Sequence, residues 1–194
     1  MSKCVIQAYD ENHESLANIT VPLMAKWCYN HGWSHQVVLC DSSKESYDHN
    51  YRKYPLVRSM LEHHQVVMWA DADVVPVSGE DFPLGEKNVQ VSFDRHGYCA
   101  GLVVYRNSLW TRQFVTGLEA IIPTEGIYRT HEQDCMKAIL LIGQVSDNVV
   151  SIPESVVACP HSPKTTVKPV FLHLWTHTGL ADSIQRAKEI AGHE

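Results

Sequence analysis

Apolar positions in the first half of the chain switch between two spacings. Residues 4–9, CVIQAY, make a short β-rich run, and residues 15–32 repeat their apolar side chains at helical intervals. Ser15 is placed there as an N-cap and Gly32 as a stop. Residues 35–40 predict a second strand, residues 41–51 a polar loop, and residues 55–64 a helix with Pro55 in its first turn. A third strand is predicted over 66–77, followed by strands at 89–94 and 100–106 and a helix over 108–122. Further on, the pattern predicts a helix at 132–143 ended by Gly143, strands at 149–157 and 170–175, and a terminal helix at 181–192. Strand–helix alternation of this kind predicts an α/β fold with a mainly parallel central sheet flanked by helices. Such sheets bind ligands beyond the carboxyl ends of their strands.

The third strand carries an anomaly. Residues 66–77 read VVMWADADVVPV, apolar on both faces as in a strand inside a sheet, yet Asp71 and Asp73 interrupt the run. Burying an unpaired carboxylate is costly, so two that sit one residue apart require a counter-charge. At the carboxyl end of a strand they can face the ligand crevice. There a hard divalent cation supplies the charge, because Mg²⁺ and Mn²⁺ take carboxylate oxygens and complete their shells with substrate phosphates. A solvated pair at a strand-end turn is the plain alternative, and a bare D-x-D does not decide between them.

Composition excludes several classes. The chain has 194 residues, 44% hydrophobic and 20% charged, which suits one soluble globular domain over residues 1–194. A formal net charge of −6, with no cluster of Lys and Arg, argues against a nucleic-acid surface. The N-terminus MSKCVIQAYD lacks the apolar core of a signal peptide, and no segment approaches a membrane span, so the cytoplasm is the expected compartment. The cysteines at 4, 28, 40, 99, 135 and 159 show no C-x-x-C spacing. Buried free thiols are expected rather than a disulfide framework or a zinc site.

The stretch KYPLVRSMLEHHQVVMWADADVV, residues 53–75, resembles the plant and yeast galactosyl- and xylosyltransferases of the GT-A type, the glycosyltransferase family 34 group. Those enzymes carry a K-x-P-x-x-R helix start, an aromatic-rich strand and then a D-x-D. Lys53, Pro55 and Arg58 match the helix start, and Asp71 and Asp73 match the D-x-D. YCAGLVVYRNSLWTRQFV (98–115) is similar to the family's N-x-G-x-x-L-x-R-N segment, with Cys99 where Asn is frequent. HEQDCMKAIL (131–140) resembles the D-Q-x-x-[FL] helix start, and VFLHLWTHTG (170–179) resembles the late strand whose histidine completes the metal shell. The likeness runs in register from about residue 3 to residue 180.

The resemblance implies a metal-dependent glycosyltransferase that takes a nucleotide sugar, expected to be a UDP-sugar, and a glycan or glycoprotein acceptor. It implies Mn²⁺ or Mg²⁺ held by Asp71, Asp73 and His173, with Ala72 between the carboxylates. Lys53 and Arg58 are expected on the diphosphate or on the D-x-D carboxylates, and His177 or Thr178 near the phosphates. Ala8 and Tyr9 are expected at the base and Asp10 at a ribose hydroxyl. On the sugar side stand Asp94, Gln133, Asp134 and Gly101, the last allowing close backbone approach. With no clear nucleophile beside Gln133, retention through a front-face mechanism is the implied stereochemistry.

His173 and His177 share the four-residue spacing of a helical zinc pair, but Pro169 and the β-rich VFLHLW place His173 on a strand. A phosphatase or phosphotransferase of the haloacid-dehalogenase kind also uses a D-x-D, but on its first strand. A non-catalytic sugar-nucleotide-binding module is the other alternative. The compact chain is expected as a bacterial or large-virus enzyme, comparable in size to the small glycosyltransferase domains of chlorella viruses, or as part of a longer multidomain protein.

Overall fold

A computed structural model describes residues 1–40, 52–94, 97–120, 147–158, 168–174 and 179–192, without the side chains of residues 93, 94 and 97. In chain order the described elements begin with β1 (Lys3–Tyr9), a 3-10 turn (Glu11–His13), α1 (Glu14–His31), β2 (Ser34–Leu39) and α2 (Lys53–Leu61). β3 (Val66–Asp71), β4 (Val74–Pro76), β5 (Val89–Asp94), β6 (Gly97–Arg106) and α3 (Leu109–Ala120) follow. The last are β7 (Val149–Ser151), β8 (Val157–Ala158), β9 (Phe171–His173) and α4 (Leu180–Gly192). The helix expected at 132–143 lies outside the described residues.

The main sheet has the order β2-β1-β3-β6-β5-β7. β6 runs against its neighbours β3 and β5, while β1 pairs in parallel with β2 and β3, and β5 in parallel with β7. Alternate side chains of the inner strands enter different cores. Cys4, Ile6, Val67, Trp69, Val103 and Tyr105 meet α2 and α3 on one face. Val5, Val66, Met68, Leu102 and Val104 meet α1 and Phe171 of β9 on the other. This two-sided burial is why β3 reads as continuously apolar.

The predicted strand over 66–77 is in fact two strands in two sheets. The chain turns at Ala72 and Asp73, and β4 leaves the main sheet to pair antiparallel with β9, Val74 opposite His173, in a second sheet ordered β4-β9-β8. Both halves are buried, so hydrophobicity gave no sign of the break. The predicted strand 149–157 divides in the same way. β7 joins β5 and β8 joins β9, with Pro153, which cannot donate to a ladder, between them.

Ser15 is not the N-cap of the first helix. Asp10 caps the 3-10 turn, accepting from the backbone N–H of His13 at 3.1 Å, and α1 continues directly from that turn. Gly32 does end α1, in the left-handed conformation at φ 66, as the stop signal required. Cys4, Cys28, Cys40 and Cys99 are buried and free; Cys135 and Cys159 lie outside the described residues. No described helix is long and apolar enough to cross a membrane.

Candidate active site

Three separate elements bring Asp71, Asp73 and His173 together. Asp71 ends β3, in register with Ala8 near the end of β1. Asp73 lies in the turn that follows, and His173 ends β9 opposite Val74. One ligand atom from each residue lies within 4.8 Å of the other two. Octahedral ligands about 2.1 Å from a cation stand roughly 3 Å apart when adjacent and roughly 4.2 Å when opposite. Small side-chain adjustments therefore close this set on one ion. Two carboxylates and an imidazole also form a donor set suited to Mn²⁺ or Mg²⁺.

The charges of the site are unevenly balanced. His173 is only 6% exposed, with Nε2 3.2 Å from Asp73 Oδ1. Burial by itself would lower its pKa, but the charge and hydrogen bond of Asp73, aided by Cys99, carry it well above the ordinary imidazole value. When protonated, the ring donates from Nε2 to Asp73, so a proton and a cation would compete for that nitrogen. On the other side of the ring, Nδ1 lies 3.5 Å from the Cys99 thiol, which holds the imidazole by its far nitrogen.

Asp71 is pushed the other way from comfort. Burial raises its pKa, the nearby Lys53 ammonium opposes that, and the charge of Asp73 adds to the rise. His173 and the Trp69 indole also favour the ionised form, yet the balance stays upward. The carboxylate is thus under-compensated by the protein, although 36% of the side chain remains open to solvent. A divalent cation at its open side would supply the missing charge.

Lys53 is 1% exposed, at the start of α2. Its Nζ lies 3.7 Å from Asp71 Oδ1, donates to the Ala100 carbonyl at 3.4 Å, and sits 5.4 Å from the centre of the Trp69 ring. Trp69 Nε1 donates to the same Asp71 oxygen at 2.6 Å. Of the two contacts anticipated for Lys53, the structure shows the one to the D-x-D carboxylate. Arg58 has neither. Its guanidinium grips Glu119 of α3 through two bonds, at 2.7 and 3.2 Å, on an exposed surface. The helix start matched the sequence pattern, but the Arg58 side chain leaves α2 toward α3 and serves helix packing.

Gly101 does allow a close approach, and it is His173 that makes it: a β-carbon on residue 101 would fall against the imidazole. Ala8, Tyr9 and Asp10 are half-buried at the carboxyl end of β1, on the same edge as Asp71. Asp10 accepts from the His13 ring at 2.6 Å. Burial would raise its pKa, but the hydrogen bond and charge of His13, with Asn12 and the backbone, hold it below the usual range. Ala72 is buried and its carbonyl is bonded by Thr20. Gln133, Asp134, His177 and Thr178, and the side chain of Asp94, lie outside the described residues.

Three contributors are not evident from the sequence motifs: Trp69, Thr20, and Gln7, which donates to the Val74 carbonyl after the D-x-D turn. Each had a signal. Trp69 precedes Asp71 by two residues and so shares its face of the strand. Thr20 and Gln7 are polar residues inside an apolar helix stripe and an apolar strand, where a buried polar group needs a partner.

Likeness to solved structures removes the remaining ambiguity over architecture. A glycosyltransferase involved in glycosylation of the major capsid of PBCV-1 superposes with a TM-score of 0.79, covering 97% of this chain and 100% of that one at 11% identity. The chain has the GT-A fold. The galactosyltransferase LgtC, in complex with donor and acceptor sugar analogues, matches this GT-A chain with a TM-score of 0.63, at 14% identity over 98% of this chain and 95% of that one. A Drosophila β1,4-galactosyltransferase 7 mutant, in complex with manganese, UDP-Gal and xylobiose, matches at 0.50, with 13% identity over 92% and 74%. No protein-family model matches the sequence, and no curated protein matches it.

Proposed function

We propose that the chain is a metal-dependent glycosyltransferase, one catalytic domain that moves a sugar from a UDP-sugar to a glycan or glycoprotein acceptor. The observation that carries this is the convergence of Asp71, Asp73 and His173 at the carboxyl edge of a GT-A sheet. A manganese and UDP-Gal complex of a protein with the same fold supports the choice of ligands.

Asp71, Asp73 and His173 would hold Mn²⁺ or Mg²⁺, which as a Lewis acid stabilises charge on a diphosphate leaving group. Lys53 favours the ionised form of Asp71, and Trp69 aims its Oδ1. Cys99 and Gly101 fix the His173 ring from behind. Ala8, near the end of β1 in register with Asp71, and Tyr9 and Asp10 after it are assigned to the nucleoside half. His177 and Thr178 are assigned to the phosphates, and Asp94, Gln133 and Asp134 to the sugar. These assignments follow from the family resemblance, as does retention of the anomeric configuration.

The test is a panel of UDP-sugars with candidate acceptors, followed by UDP release and product mass. Transfer that stops in EDTA and returns with Mn²⁺ supports the proposal, and the product's anomeric NMR signal checks retention. Undiminished transfer in excess EDTA would remove the metal from the reaction.

A further inference from the structure

Three successive backbone carbonyls of the D-x-D turn are each taken by a different part of the chain. Thr20 Oγ1 on α1 donates to the Ala72 carbonyl at 2.6 Å. The backbone N–H of Leu174, just past β9, donates to the Asp73 carbonyl at 2.8 Å. Gln7 Nε2 on β1 donates to the Val74 carbonyl at 3.4 Å, and Gln7 Oε1 accepts from His35 Nε2 on β2 at 3.1 Å. Both Thr20 and Gln7 are fully buried.

A helical threonine ordinarily returns its hydroxyl to its own helix, four residues back. That alternative exists here, to the Leu16 carbonyl, but at 3.4 Å it is much the longer contact. The hydroxyl proton is committed to the turn. Without it the Ala72 carbonyl would be buried and unsatisfied, and the peptide joining Ala72 to Asp73 would lose the anchor that opposes its rotation on the Ala72 side. Rotation there changes the separation of the two carboxylates.

We propose that Thr20, seconded by Gln7, is a positioning residue that sets the carboxylates of Asp71 and Asp73 for a single divalent cation; this rests on the metal site proposed above. Neither residue touches the cation or the donor. They act through the backbone of the turn.

Thr20→Val keeps shape and removes the hydroxyl, while Thr20→Ser restores it. Two readouts are measured on the full chain. The first needs no metal: the ¹⁵N shifts of the Trp69 indole and the His173 ring, which touch Asp71 and Asp73. The second is the Mn²⁺ midpoint from titration with Mn²⁺ alone. In Thr20→Val both shifts move and the midpoint rises about tenfold or more, the usual effect of losing an outer-shell partner; Thr20→Ser recovers both. A folded Thr20→Val that melts earlier but keeps its ¹⁵N shifts and midpoint overturns the proposal. If Thr20→Val does not fold, Gln7→Met takes its place: moved shifts and a raised midpoint support the proposal, and unmoved ones overturn it. A wild-type chain that ignores Mn²⁺ would defeat the metal site, and the ¹⁵N shifts would then decide the clamp alone.

Discussion

Gly101 on β6 lies against the imidazole of His173, so closely that a β-carbon there would sit 2.8 Å from Nε2 and 3.0 Å from Nδ1. Real β-carbons do not approach that near, so a methyl group at this position must expel the ring. Gly101→Ala is therefore expected to imitate loss of His173, raising the Mn²⁺ midpoint about tenfold or more. Overpacking should also destabilise the chain by about 1–3 kcal/mol. Calorimetric Mn²⁺ titration alongside thermal melting checks both effects. An unchanged midpoint would mean that His173 is not held where the structure places it.

Lys53→Met tests the buried half of the charge network. It removes the ammonium and leaves Asp71 beside Asp73 with less compensation, at an expected cost near neutral pH below the roughly 3–5 kcal/mol of a fully buried pair, because Asp71 is partly open to solvent. Without Lys53 the Asp71 pKa rises further. Acid should then protonate the carboxyl and recover part of the loss, and Mn²⁺ should recover part of it at neutral pH. Melting curves at pH 5 and pH 7.5, with and without metal, check this. A loss independent of both acid and metal would assign Lys53 to packing alone.

Arg58→Ala distinguishes the structural assignment from the one the sequence suggested. The Arg58–Glu119 pair is exposed and joins two helices, so donor KM and metal midpoint should stay at wild-type values with little change in melting temperature. A donor KM raised tenfold would return Arg58 to the diphosphate.

These cases show where the sequence was legible. The alternation of spacings gave the parallel core of the sheet, because the helical spacing of α1 separates β1 from β2 and that of α2 separates β2 from β3. The carboxylates were conspicuous in an apolar run, and His173 sat in a late apolar strand with a matching motif. The turn inside residues 66–77 was hidden because Val74 and Val75 exchange one buried sheet for another without becoming polar. Lys53 and Arg58 look alike on α2. Only the packing of that helix against β3 and α3 sends one inward and the other to Glu119. Likewise, nothing local to Gly101 announces that a histidine from the far end of the chain will lie on it.

The Asp73–His173 pair makes metal-free stability depend on pH. The His173 pKa is raised above its unfolded value of about 6.5, so the pair contributes fully below that pH. The contribution is lost as pH rises through the raised folded value. Asp71, also raised, has the same sign, but its share begins to be lost lower, above about pH 3.9. As pH rises above about 6.5, the metal-free protein should therefore lose more melting temperature than His173→Asn does. Mn²⁺ affinity should move oppositely, tightening with rising pH as the competing proton leaves. Parallel melting profiles for the two proteins would contradict the pairing.

In the proposed function, Asp71, Asp73 and His173 close on one divalent cation that also carries a nucleoside diphosphate. Calorimetric titration of Mn²⁺ into the chain, with and without UDP, tests it most directly, with Asp73→Asn as the control. The expected result is one Mn²⁺ per chain, bound more tightly when UDP is present, and lost in a folded Asp73→Asn variant. Equal Mn²⁺ binding by wild type and Asp73→Asn, or binding that UDP leaves unchanged, would contradict it.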